Sequence, residues 1–106
     1  MPQVNKGKEL LVTTPNEIGA LGKVTCAVSA AGANFITLSA WGEKDKGVFR
    51  MLTSDNVKSS AELKKLGYTI TETDVLLVNL GNKPGTFSPL AKKIGDAGID
   101  INYCYA

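Results

Sequence analysis

The chain has 106 residues, 43% hydrophobic and 21% charged, with a formal net charge of +2, the makeup of one ordinary globular domain with a modest core. No run approaches the roughly 20 apolar residues that span a bilayer, and residues 1–8 lack an apolar stretch behind their positive charges, so neither membrane span nor secretory signal is expected and the cytoplasm is the default location. The lysines are scattered and Arg50 is the single arginine, which leaves no basic stripe for a phosphate backbone, while the lack of histidine and of any Cys-x-x-Cys removes the usual parts of metal sites and acid–base catalysis.

Residues 9–14 form a short apolar run ended by Pro15, which cannot donate to a sheet ladder, and read as a buried strand entering a turn. From 20 to 31 the apolar Leu21, Val24, Val28 and Ala31 fall at helical spacing, with Gly32 placed for a left-handed cap. Residues 34–41 alternate as a strand does, and the polar stretch 42–47 makes a hairpin turn into another strand over 48–53. Asp55 or Asn56 is placed to cap a second helix, Ser59 with Glu62 offers a competing capping box, and Gly67 ends the helix in either case. Residues 68–72, rich in β-branched and aromatic types, close the unit as a fourth strand. The order β-α-β-β-α-β predicts an α+β, ferredoxin-like sandwich: one four-stranded sheet, the third strand lying between the first and second, and both helices on one face. The other sheet face must find cover or stay wet.

The chain then begins again. Leu10-Leu11-Val12, Asn16, Gly19, Ala31, Gly32 and Ala40 recur as Leu76-Leu77-Val78, Asn82, Gly85, Ala97, Gly98 and Ala106, an offset of 66 positions. The helical phase repeats too, since Leu21, Val24 and Val28 are answered by Phe87, Leu90 and Ile94. Accordingly 74–80 reads as a strand, 87–97 as a helix stopped by Gly98, and 99–105 as a strand. This divides the chain into a complete domain over 1–73 and the βαβ first half of a second over 74–106. Counterparts of residues 48–52 and 68–72 would fall beyond Ala106, so the second copy is expected to continue in a longer chain, lean on the first copy, or borrow a strand from a partner.

The recurring strand-to-helix turn, residues 14–19 and 81–86, is the candidate site. The first turn of a helix leaves amide N–H groups unpaired and carries partial positive charge, so a carboxylate brought there meets ready donors. Gly19 and Gly85 permit close approach, and the Asn16 and Asn82 amides both donate and accept. The same residues also fit a bland alternative in which Asn caps the helix and Gly only permits the turn. Cys26 and Cys104, without a recognised spacing, read as small buried hydrophobes. Tyr103 and Tyr105, two apart on the last predicted strand, share a face and pack within the chain or, like Trp41, against a partner. Two near-motifs fail: Gly22-Lys23-Val24-Thr25 has Glu17 where a phosphate loop needs its first glycine, and Lys46-Gly47-Val48-Phe49 lacks the stacking aromatics of an RNA-binding signature.

Asn-x-Pro-Gly-x-Phe at 82–87, its counterpart Asn-x-Ile-Gly-x-Leu at 16–21, and Ala-Gly-Ile-Asp-Ile-Asn-Tyr at 97–103 resemble the ACT domain. The tandem spacing looks like that of small stand-alone bacterial proteins made of two ACT domains, with Ile18 standing where proline is usual. The resemblance implies the β-α-β-β-α-β fold, no catalysis, no cofactor, and binding of a free amino acid where the turn of one domain faces the second strand of another. It carries over Asn82, Pro84, Gly85, Thr86 and Phe87 as one ligand wall, with Asn16, Ile18, Gly19 and Leu21 as the equivalent. Asn34, Phe35 and Ile36, and Asp100, Ile101 and Asn102, would line the facing strands. The competing expectation is a purely structural oligomerisation module whose turns bind no small molecule. An open sheet face and unpaired strand edges separately predict a homodimer or higher homo-oligomer, and neither nucleic acid nor membrane is an expected partner.

Overall fold

Periodicity decides which side of each element is buried in the unit spanning Gly7–Val75. The computed structural model describes residues 3–106, in the order β1 (Gln3–Pro15), α1 (Ala20–Ala30), β2 (Phe35–Glu43), β3 (Lys46–Thr53), α2 (Asn56–Lys65), β4 (Thr69–Asn79) and α3 (Ser88–Asp96). The strands form one sheet in the order β2-β3-β1-β4, so the third strand does lie between the first and second, the ferredoxin-like arrangement. In the antiparallel β1–β3 register Leu10 faces Met51 and Val12 faces Phe49. Alternation puts these four on one sheet side, where Val24, Ala27 and Val28 of α1 and Leu63 of α2 close over them as the core.

Both helices end as their glycines dictate. Gly32, at φ 73, donates to Ser29 O at 2.9 Å while Ala33 donates to Val28 O at 3.2 Å, the paired bonds of a Schellman cap. Gly67 repeats the left-handed turn at φ 83 after α2. At the start of α2, Asp55 wins the capping position, its carboxylate accepting from the Lys58 N–H at 3.0 Å. Ser59 is instead buried, its hydroxyl 3.1 Å from Thr53 Oγ1.

The alternation expected over residues 34–41 holds in β2, where Phe35 packs against the core and Ile36 is exposed, although the pairing with β3 is irregular between Phe35 and Thr37. Several other expectations are corrected. The strands expected at 68–72 and 74–80 are one continuous strand, β4, because the residues that join them, Thr73 and Asp74, hold no Gly or Pro to break extended backbone. Residues 99–105 form no regular strand. A strand exists only with a ladder partner, and among the described residues no strand pairs with this stretch. Tyr103 and Tyr105 therefore do not share a strand face. Cys26 and Cys104 are both exposed: Cys26 lies on the outward side of α1, between Val24 and Ala27 of the buried stripe, and Cys104 lies in the irregular terminal stretch. In the unit that includes Leu76–Ala106, α3 has no buried residue. Among the described residues no helix is long and apolar enough to cross a membrane.

Candidate functional site

The first turn is held by its own chain. Gly19 takes φ 89 as the N-cap of α1 and offers no side chain to cap it, a conformation that costs a residue with a Cβ. Asn16 does not cap the helix either. Its backbone N–H donates to Asp45 O at 2.9 Å and its Nδ2 to Lys44 O at 3.4 Å, so it fastens the turn to the tip of the β2–β3 hairpin. Glu17 fastens the other side: one carboxylate oxygen accepts from Tyr68 Oη at 3.2 Å and from Lys23 Nζ at 3.2 Å. Ile18 at the apex is fully exposed, and Leu21 is exposed on the first turn of α1.

The Tyr68 ring is buried, and that burial, followed by the hydrogen bond and charge of Glu17, raises its phenol pKa above the ordinary value of 10.0. A raised value means the folded state holds its proton longer than the unfolded chain does. Stability is therefore present in full below about pH 10 and falls as pH rises through the folded value. In Tyr68→Phe this alkaline decline is expected to flatten, with a loss of about 0.5–1.5 kcal/mol at neutral pH for the missing hydrogen bond. Urea midpoints measured from neutral to alkaline pH check both; a parallel decline in the two proteins would contradict it.

Asn34, Phe35 and Ile36 lie at the opposite end of the same sheet from this turn. Phe35 pairs with Thr53, while Gly42 pairs with Gly47 beside the hairpin tip that holds Asn16. Within this unit, then, the turn and the start of β2 do not meet.

The second turn is built differently. Lys83 N donates to Gly81 O at 2.9 Å, and the Thr86 hydroxyl reaches Gly81 O at 2.7 Å and Lys83 O at 3.1 Å, so its bonds fold the turn on itself. Gly85 adopts φ 81, and a Cβ there would meet no atom within 4 Å. Phe87 is the N-cap of α3 and makes no side-chain cap bond. Proline follows Ser88 in the first turn of α3 and has no N–H, which leaves the Ser88 and Leu90 amides as its donors. Asn82, Pro84 and Phe87 are exposed, as are Asp100, Ile101 and Asn102, which sit in irregular backbone and not on the expected facing strand.

The helix-free sheet face of the Gly7–Val75 unit holds a shallow hollow of about 490 Å³ lined by residues that include Leu11, Trp41, Val48 and Arg50. Beside it the Arg50 guanidinium meets the Glu9 carboxylate at 2.7 Å, and the Glu9 side chain is only 1% exposed. Nothing in the sequence linked Glu9 to Arg50 or Glu17 to Tyr68, because the partners lie 41 and 51 positions apart in the chain; the status of Arg50 as the sole arginine was the one available signal. Among the described residues no three His, Cys, Asp or Glu side chains gather in a metal-binding group.

With this geometry in hand, the family model for an ACT domain pair matches residues 7–106. Among solved structures, a protein of Bacteroides thetaiotaomicron is similar at TM-score 0.85 and 27% identity, over 94% of this chain and 69% of that one. The ligand-free regulatory subunit of aspartate kinase from Thermus thermophilus is similar at TM-score 0.66 and 12% identity, over 99% and 80%. Aspartokinase III of E. coli, in complex with lysine and aspartate, is similar at TM-score 0.55 and 12% identity, over 99% of this chain but 26% of that one. The last two likenesses are of fold alone. No curated protein matches the chain.

Proposed function

This chain belongs to the ACT domain family, and on that premise we propose that it is a non-catalytic, cytoplasmic regulatory module that binds a free amino acid at its second strand-to-helix turn and works as a homo-oligomer. The carrying observation is the open Gly85, in left-handed conformation two residues ahead of Phe87, the N-cap of a helix whose start no side chain caps. A ligand carboxylate would accept from the Ser88 and Leu90 amides, and the approach over Gly85 would bring its main chain close to the turn. Asn82, Pro84, Thr86 and Phe87 would form the surrounding wall. The equivalent turn at Asn16, Ile18, Gly19 and Leu21 is the secondary candidate, since Asn16 and Glu17 already serve internal bonds. Lysine and aspartate in aspartokinase III are ligands of the class proposed. On this reading residues 1–73 are one domain and 74–106 part of a second, with Asn34–Ile36 or residues 100–102 facing a turn only across a domain or subunit boundary.

Calorimetry across the common amino acids tests it. At least one is expected to give heat with the parent protein and, at 100 times its dissociation constant, to add about 2.7 kcal/mol of stability. Gly85→Val is expected to abolish the heat, because it fills the approach and strains the turn. Gly85→Asn, which tolerates φ above zero, separates those effects: it should fold as the parent does and bind at least about tenfold more weakly. If the parent binds no amino acid, the structural oligomerisation module becomes the better reading.

A further inference from the structure

The two strand-to-helix turns carry opposite charges at one equivalent position. Glu17 of the first turn answers, at the offset of 66, to Lys83 of the second. The Glu17 carboxylate is engaged within its own unit by Tyr68 and Lys23, whereas Lys83 is exposed and, among the described residues, forms no ion pair. The sequence places no acid close to it. Residues 75–95 contain Lys83, Lys92 and Lys93 but no Asp or Glu, and Lys92 is paired with Asp96 at the far end of α3. The backbone of Lys83 is pinned on both sides: its N–H donates to Gly81 O at 2.9 Å, its carbonyl accepts from the Thr86 hydroxyl at 3.1 Å, and the following Pro84 restricts it further. A flexible stem with a strongly hydrated ammonium and three donors therefore starts from a fixed point, two residues ahead of the open Gly85.

We propose that Lys83 sets the specificity of the second turn for an amino acid with an acidic side chain, of the aspartate or glutamate class. The α-carboxylate would accept from the Ser88 and Leu90 amides, as above, and the side-chain carboxylate from the Lys83 ammonium. A cationic ligand would instead meet a like charge beside a helix start that is already positive and holds no acid in its first turn. A neutral one would leave the ammonium in water and gain nothing from it. The first turn, with an acid at the same position, presents the opposite sign to such a ligand, so the preference belongs to the second turn. The inference deepens the amino-acid reading above and rests on it.

Calorimetry of the 106-residue chain with aspartate, glutamate and their amides asparagine and glutamine tests the assignment, with circular dichroism melts to confirm that each variant folds. The amides keep the shape of the acids and drop the charge. One acid is expected to bind at least about tenfold more tightly than its own amide, as a hydrogen bond to a charged group implies. Lys83→Gln is expected to bring the two within about threefold of each other, by weakening the acid and leaving the amide unchanged. Lys83→Glu is expected to place the acid below its amide. Gly85→Asn, by contrast, should weaken acid and amide together, because it obstructs the shared approach. A parent that binds an amino acid but prefers a neutral or cationic one, an acid preference that survives Lys83→Gln, or a Lys83→Gln variant that loses acid and amide alike overturns the specificity and leaves the amino-acid reading intact. A parent that binds none of the common amino acids overturns both.

Discussion

Leu10→Ala is expected to lower the unfolding free energy by about 2–5 kcal/mol, while Leu76→Ala, its counterpart in the repeat, is expected to stay within about 0.5 kcal/mol of the parent. Leu10 is 0% exposed and sits among Met51, Val24, Val28 and Leu63, whereas Leu76 is 67% exposed. Deleting the Leu10 side chain removes its transfer free energy and leaves a void walled by β3, α1 and α2, which the close-packed surroundings fill only in part. Deleting that of Leu76 removes surface already in contact with water. Urea denaturation at one fixed protein concentration measures both, since an oligomer's stability depends on that concentration. Equal losses at the two positions would mean that the repeats bury their strands alike, against the structure.

Arg50→Met is expected to cost about 3–5 kcal/mol, because it withdraws the guanidinium from a Glu9 carboxylate that is almost wholly out of water. Methionine keeps much of the stem volume, so the loss reports charge more than packing. Adding Glu9→Gln is expected to recover most of it, since the double variant buries no charge. The double-mutant cycle then yields a coupling well above the 0–1 kcal/mol of exposed pairs such as Lys92–Asp96. Salt should separate the two pairs as well: the surface pair is screened and the Glu9–Arg50 pair much less so. A cycle with coupling below about 0.5 kcal/mol would show that Glu9 draws its stabilisation from elsewhere.

What the chain determined by itself is what short-range physics carries. The order of elements over residues 9–72 follows from apolar spacing, and the ends of α1 and α2 follow from Gly32 and Gly67, whose lack of a Cβ admits the left-handed turn each cap requires. The core face was legible for α1 alone, whose 3.6-residue stripe marks Val24 and Val28. The continuous apolar runs Leu10-Leu11-Val12, Val48-Phe49 and Met51-Leu52 do not say which side of β1 and β3 is buried, and the pairing of the two strands put Leu10, Val12, Phe49 and Met51 together. The offset of 66 positions marks both turns in the sequence itself. Tertiary structure decided the rest. A side-chain amide at Asn16 serves equally to cap a helix or to hold a hairpin, and only the nearness of the Lys44 and Asp45 carbonyls settles its partner. Glu17 finds Tyr68 across 51 positions, and Glu9 finds Arg50 across two strands that are third and first in the chain yet neighbours in the sheet. Cys26 turned outward because small apolar residues do not fix the phase of a helix that larger ones already set. Residues 99–105 have strand composition without strand structure, since backbone hydrogen bonding in a sheet is a property of pairs of segments and no single segment contains it.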